Sequence, residues 1–112
     1  MLGVASSCNE PSQPASQAYE VHIQAQFTGT WVQFDLDGQQ VSYGNQTTSP
    51  LIGLASIVRL NATAGRHLAH VRAGESEATL QFDLASYQYV LVSRELDGTL
   101  HIQVTSERPL YD

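Results

Sequence analysis

The sequence predicts an all-β fold, a single antiparallel β-sandwich. Apolar and polar residues alternate in several short segments, the pattern of strands that bury one face. Turn residues separate these segments at fairly even spacing, and no segment repeats with the period of an amphipathic helix. Together these observations indicate a small domain in which two sheets pack around one core.

The first half of the chain predicts one strand, one hairpin and one long loop. Tyr19 to Phe27 alternates regularly and is the clearest strand. Trp31 to Leu36 and Gln39 to Tyr43 flank Asp37-Gly38, a pair typical of a two-residue hairpin turn because glycine adopts positive φ readily. Residues 45–53 are the longest break inside the domain and the best candidate for a functional loop.

The second half predicts five further strands. They are Leu54 to Asn61, Arg66 to Arg72, Ala78 to Leu84, Tyr87 to Arg94 and Leu100 to Thr105, with turns that include Asp97-Gly98. Tyr87 to Arg94 is the most continuously apolar, as expected of a central strand covered on both sides. Pro109 is predicted to end the last strand.

Seven to eight short strands favour an immunoglobulin-like or transthyretin-like sandwich. A small closed barrel is the alternative. The pattern leaves the strand order open. The first and last strands are candidates for exposed edges, which could add to another sheet.

The length and composition of the chain indicate how large the domain is and which classes of partner it can bind. The 112 residues suit one domain, with residues 1–17 as a disordered tether or residual leader and residues 18–112 as the sandwich. Hydrophobic residues make up 42% and charged residues 14% of the chain, which argues against global disorder. A net charge of −6 disfavours binding to nucleic acid or to an anionic membrane, since both need a basic face.

The N-terminal segment is organised around Cys8, the single cysteine. Small residues precede it, and a tract rich in Pro, Ser and Gln follows, which suits a flexible spacer. This arrangement resembles the start of a bacterial lipoprotein. The resemblance implies a lipid on Cys8 and a place at the cell envelope, in the periplasm or on the outer surface. The alternative is a disordered cytosolic tail with an unmodified thiol.

The histidines do not predict a metal site. His67 and His70 are three residues apart on a predicted strand, so they point to opposite faces and cannot bind one ion together. His22 and His101 are predicted to face outward and would meet only if the first and last strands were neighbours. Two imidazoles without a third ligand make a weak site, so we expect surface histidines and no bound metal.

Catalytic patterns are also lacking in the sequence. No serine lies in a glycine-flanked elbow, and no phosphate-binding glycine loop or calcium loop occurs. Asp37 is explained by its turn, and Asp35 is predicted to be an outward strand residue. We therefore expect a protein that is not an enzyme and needs no cofactor.

Trp31 is the most informative candidate for partner contact. If Val32 and Phe34 face inward, Trp31 lies on the outer face, where Tyr43 across the hairpin would complete an aromatic platform for a sugar or a peptide. The predicted partner-binding residues are Trp31, Tyr43, Thr48 and Pro50, the last two in the 45–53 loop.

Residues 35–74 resemble a PEGA-type module. The resemblance rests on the Asp37-Gly38 hairpin, a loop with Thr47, Thr48 and Pro50, and the run Ala64-Gly65-Arg66-His67 leading to Val71. Modules of that family are small β-sandwich units of bacterial surface and envelope proteins. The resemblance implies an envelope setting and a binding role, with no catalytic residues to carry over. After Val71 the usual closing Gly-aromatic pair is absent and further strands follow.

The expected function is a non-enzymatic envelope or secreted module that binds a protein or glycan partner. Contact would occur through a sheet face, through the 45–53 loop or by pairing of an edge strand, which could also give a homodimer. Membrane contact would occur only through a lipid on Cys8. A periplasmic domain that binds a small molecule or a metal through His22 and His101 is the alternative.

Overall fold

Two four-stranded sheets pack face to face in the computed structural model, which describes residues 15–111. In chain order the strands are β1 (Ser16–Ile23), β2 (Thr30–Leu36), β3 (Gln39–Gln46), β4 (Ser56–Thr63), β5 (Gly65–Ala73), β6 (Ser76–Leu84), β7 (Gln88–Arg94) and β8 (Leu100–Thr105). The predicted all-β sandwich is confirmed. Cys8 lies outside the described residues.

Residues 15–111 contain no helix that is long and apolar enough to cross a bilayer.

The strand order separates the two sandwich alternatives. Sheet I has the order β4-β1-β7-β8, and sheet II has the order β3-β2-β5-β6. In the immunoglobulin arrangement the first, second, fifth and fourth strands share a sheet. Here the first strand pairs instead with the fourth and the seventh, which leaves the transthyretin-like alternative.

One strand pair departs from the predicted antiparallel pattern. β1 runs antiparallel to β4 but parallel to β7, so it is a central strand and not the predicted edge. The other described neighbours are antiparallel. The edges of sheet I are β4 and β8, and the predicted central position of β7 is confirmed.

The ends of β1 differ from the sequence expectation. The strand begins at Ser16, which pairs with Thr63, because backbone hydrogen bonds continue beyond the alternating side chains. It ends at Ile23, and a positive φ of 71° at Gln26 marks the bend that follows. Phe27 is buried even so, with 1% of its surface exposed.

The core lies between the two sheets and is built from the inward residues of six strands and the β1–β2 connection. Its buried members are Tyr19, Val21, Ile23, Phe27, Val32, Phe34, Leu36, Ala69, Val71, Ala73, Phe82, Leu84, Val90, Val92 and Leu100. Full burial of one such valine or phenylalanine stabilises a fold by about 1.5–3 kcal/mol. Burial also raises the pKa of the Tyr19 hydroxyl to about 12, and this oxygen has no hydrogen-bond partner within residues 15–111.

Two short connections set the geometry of sheet II. Asp37 and Gly38 have φ of 54° and 84°, the two positive values of a type I′ turn, so the predicted β2–β3 hairpin is confirmed. Ala64 alone joins β4 of sheet I to β5 of sheet II. Gly65, at φ 126°, makes this abrupt change of sheet accessible.

Candidate functional site

The outer face of sheet II carries an exposed aromatic pair. Trp31 on β2 and Tyr43 on β3 are 50% and 59% exposed, and their ring centroids are 5.3 Å apart at an interplanar angle of 38°. Val32 and Phe34 point into the core, as predicted, which places Trp31 on the outside. The predicted neighbours Trp31 and Tyr43 therefore form one surface, which we call the aromatic pair.

Polar side chains continue from the aromatic pair across the same face. Gln33 lies opposite Tyr43 in the β2–β3 register, and its amide donates to Asp35 Oδ1 at 2.9 Å. His70 on β5 lies between two carboxylates, with Nε2 2.7 Å from Glu77 Oε1 and Nδ1 3.3 Å from Asp35 Oδ2. The hydrogen bond to Glu77 and the proximity of Asp35 raise the pKa of His70. Asp35 points outward as predicted, but these neighbours leave it only 8% exposed.

The two predicted loop residues differ in their surroundings. Thr48 attaches the loop to the β1–β2 connection, since its Oγ1 accepts from the Phe27 N–H at 3.0 Å and donates to the Gln24 carbonyl at 2.5 Å. Pro50 is exposed at the start of a short turn that Gly53 N–H closes on the Ser49 carbonyl. The hydroxyl of Thr48 is thus engaged within the fold.

A cleft of about 400 Å³ lies on the outer face of sheet I. Its walls are formed by Glu20 and His22 of β1, Ile57 of β4, and the C-terminal segment, residues 106–111, through Arg108, Pro109, Leu110 and Tyr111. The C-terminal segment leaves the edge strand β8 and reaches β1, where Tyr111 stacks on His22 with ring centroids 5.7 Å apart.

A hydrogen-bond network surrounds Glu20 and His22, two of the residues that line the cleft. His22 Nε2 lies 2.8 Å from Glu20 Oε1, and His22 Nδ1 lies 2.8 Å from the Tyr111 hydroxyl. Tyr87 donates its hydroxyl proton to Glu20, and Arg59 lies 3.5 Å from the same carboxylate. Burial acts to raise the pKa of Glu20, but the bonds from Tyr87 and His22 and the charge of Arg59 together lower it.

The expectation that His22 is a surface histidine is wrong. His22 faces away from the core, yet only 2% of its surface is exposed because Tyr111 and Tyr89 pack against its ring. His101 is 53% exposed and pairs with Glu95. Since β7 lies between β1 and β8, His22 and His101 are not on neighbouring strands. Within residues 15–111 no three His, Cys, Asp or Glu side chains cluster as metal ligands.

His67 is a second buried histidine, so the expectation of a surface histidine is wrong here as well. Its Nδ1 lies 2.6 Å from Asp37 Oδ2 and its Nε2 lies 2.6 Å from the Thr63 carbonyl. Asp37, explained from sequence by its turn alone, also accepts from the Leu68 N–H at 2.8 Å. His67 and His70 point to opposite faces of β5, as predicted.

Little in the sequence indicated that the C-terminal segment covers His22 on sheet I. Pro109 and Tyr111 follow the last strand and suggested only where that strand ends. An aromatic residue beyond a proline was the available hint that the C-terminal segment returns to the sheet. Its contact with His22 joins residues 89 positions apart, which no local pattern encodes.

Comparison with known proteins adds no family to this description. No protein-family model matches the chain, and a search of the curated proteins finds no match. The resemblance of residues 35–74 to PEGA-type modules stays a prediction.

Proposed function

We propose that this protein is a non-enzymatic binding module of the bacterial cell envelope, which holds a glycan on the outer face of sheet II. The observation that supports this most is the aromatic pair, two rings about half exposed and 5.3 Å apart on a rigid strand pair. Exposed aromatic rings present a flat apolar surface against which the C–H face of a sugar ring packs.

The groups around the aromatic pair suit a glycan partner. Gln33 and Asn45 are amides and Arg72 is a guanidinium, and all three lie on the same face. Such planar groups bond to sugar hydroxyls through paired donors and acceptors.

Variants of the aromatic pair test this proposal. Trp31 is the single tryptophan, so its fluorescence reports directly on a ligand that packs against it. We would titrate soluble fragments of chitin, cellulose, xylan and peptidoglycan, and measure retention on the insoluble polymers. Trp31→Ala and Tyr43→Ala should each weaken binding at least tenfold. Leu96→Ala, at a 91% exposed position between β7 and β8 that lies outside both candidate sites, should bind as the wild type does.

The glycan proposal fails if the wild-type protein is retained on none of these polymers. It also fails if Trp31→Ala binds as tightly as the wild type, since binding would then occur elsewhere.

The envelope setting is supported by the Cys8 segment and is tested separately. Native protein produced in its own host should carry a diacylglyceryl group on Cys8 and partition into a detergent phase, while Cys8→Ser should stay in the aqueous phase. An unmodified mass together with full aqueous partitioning would contradict the lipoprotein proposal.

The cleft beside His22 favours a second candidate, a small-molecule-binding domain. Its volume of about 400 Å³ falls in the range of small-molecule sites, and apolar side chains such as Ile57 and Pro109 form part of its walls. Screening a fragment library by NMR tests this candidate. Saturable shifts confined to β1, β4 and the C-terminal segment would support it, and their absence for every fragment would count against it.

A further inference from the structure

We propose that the glycan held by the aromatic pair is acidic and that its carboxylate binds Arg72. This inference rests on the proposed function and specifies the class of sugar that the outer face of sheet II selects.

Strand register places Arg72 beside the aromatic pair. Gln33 of β2 lies opposite Tyr43 on one side and opposite Arg72 of β5 on the other. These three residues therefore form a row across the sheet, with Trp31 two residues before Gln33 on the same face. Neighbouring strands are about 4.8 Å apart, so Tyr43 and Arg72 are separated by roughly 10 Å along this row. A sugar stacked on the rings would present its neighbouring substituents to the guanidinium.

The acidic side chains nearest Arg72 are engaged by other partners. Glu77 lies opposite Arg72 in the β5–β6 register but accepts a hydrogen bond from His70 at 2.7 Å. Asp35 is bonded to Gln33 and His70. Within residues 15–111, the arginines that form ion pairs are Arg59 and Arg66, and Arg72 forms neither an ion pair nor a hydrogen bond.

The hydrogen bonding around Arg72 leaves its guanidinium available to a carboxylate. Glu77 and Asp35 both bond to His70 and raise its pKa, which favours the charged form of His70 between them. The chain as a whole carries −6, but charges more than about 8 Å away are largely screened at physiological salt. An arginine can hold a carboxylate through two parallel hydrogen bonds, which is stronger than a bond between neutral groups.

A matched pair of oligosaccharides tests the inference. A β-1,4-glucan hexamer and the corresponding glucuronan hexamer share a backbone and differ by a carboxylate in place of each hydroxymethyl group. Titration followed by Trp31 fluorescence should give about tenfold tighter binding of the acidic hexamer at 0.15 M salt, with the difference shrinking at 0.5 M salt. Arg72→Gln should abolish this preference, so that the variant binds the acidic hexamer no more tightly than it binds the neutral one. Arg66→Gln, an exposed arginine paired with Asp83, serves as the control and should keep the preference.

The possible failures are distinguishable. If the wild type binds both hexamers equally, or if Arg72→Gln keeps the acidic preference, the Arg72 inference is overturned while the glycan proposal stands. Trp31→Ala has no tryptophan, so its binding is measured by isothermal titration calorimetry. If this variant binds both hexamers as the wild type does, or the wild type binds neither, the glycan proposal and the inference fall together.

Discussion

His67 illustrates how a single side chain joins the two layers of the sandwich. Its ring nitrogens both face acceptors, the Asp37 carboxylate and the Thr63 carbonyl, and only 6% of the residue is exposed. Because both nitrogens must donate to satisfy these acceptors, the imidazolium is the form that fits the site. Burial acts to lower the pKa of His67, but the bonds to Thr63 and Asp37 raise it above its ordinary value. The residue thus links the β2–β3 turn to the end of β4.

Replacing His67 should destabilise the protein markedly. His67→Ala leaves the Thr63 carbonyl without its donor and opens a cavity beside Phe82, so we expect a loss of about 2–3 kcal/mol in the free energy of unfolding. Urea denaturation followed by circular dichroism measures this loss. His101→Ala, which removes one exposed contact with Glu95, is the control and should change stability by less than about 0.5 kcal/mol. Equal effects of the two substitutions would show that the His67 bonds contribute little.

At Asp37 the sequence predicted the backbone conformation but not the contact of the side chain. The Asp-Gly pair predicts the turn because backbone conformation is local, and the turn is present. The bond from Asp37 to His67 joins residues 30 positions apart, so it depends on the pairing of β2 with β5 and cannot be read from either segment.

The predicted bounds of the 45–53 loop are wrong at its start, because β3 continues to Gln46 and the loop begins at Thr47. Thr48 attaches this loop to the β1–β2 connection. Thr48→Val keeps the shape of the side chain but removes the hydroxyl bonds to Phe27 and Gln24, so we expect a loss of about 1–2 kcal/mol. Hydrogen exchange at the Phe27 amide should also become faster. Thr79→Val, at an exposed position of β6, is the matched control and should leave both quantities nearly unchanged. Slow exchange at Phe27 in Thr48→Val would contradict this role.

The C-terminal segment is attached to sheet I through Tyr111. In Tyr111→Ala the ring stacked on His22 and the hydroxyl bonds to His22 and Gln24 are lost, so His22 should become accessible. Acylation by diethyl pyrocarbonate with peptide mapping measures this change. His22 should be protected in the wild type and modified in the variant. The exposed His101 should react and the buried His67 should be protected in both proteins. Continued protection of His22 in Tyr111→Ala would mean that other groups cover it.

Sequence patterns predicted the elements of this fold better than their arrangement. Alternation along β2 correctly assigned Trp31 to the outer face and Phe34 to the core, since strand geometry fixes which side chains share a face. The central position of β1 was missed because its neighbours, β4 and β7, are distant in the chain. The burial of His22 was missed for the same reason, as its cover comes from the C-terminal segment.

For the whole molecule, the titrating groups predict a stability maximum at mildly acidic pH. The folded state raises the pKa values of His67 and His70 above 6.5, so the charged histidines stabilise the fold. Their contribution to the free energy of unfolding is complete below pH 6.5 and is lost as the pH rises through the folded-state pKa values. The folded state lowers the pKa values of Asp37 and Glu20 from 3.8 and 4.5. The contribution of these two carboxylates to the free energy of unfolding is therefore complete above pH 4.5 and is lost as the pH falls.

Urea midpoints measured from pH 3 to pH 9 check this expectation. The midpoint should be highest between about pH 4.5 and 6.5, and the decline above pH 6.5 should be smaller in His67→Gln than in the wild type. A midpoint that rises continuously through neutral pH would contradict the assignment of the histidine bonds.

The parallel pairing of β1 with β7 also determines when sheet I can form during synthesis of the chain. Tyr19 pairs with Gln88 and Ile23 with Val92, so β1 is synthesised well before β7 and waits for it before sheet I can close. Contacts between residues so distant in the chain slow folding, because the intervening chain must lose its freedom before the contacts form. A nascent chain that has not yet released β7 would carry β1 with one side unpaired, and an unpaired strand is a template for aggregation. If export of this protein precedes folding, a chaperone that covers residues 16–23 would protect the segment that stays open longest.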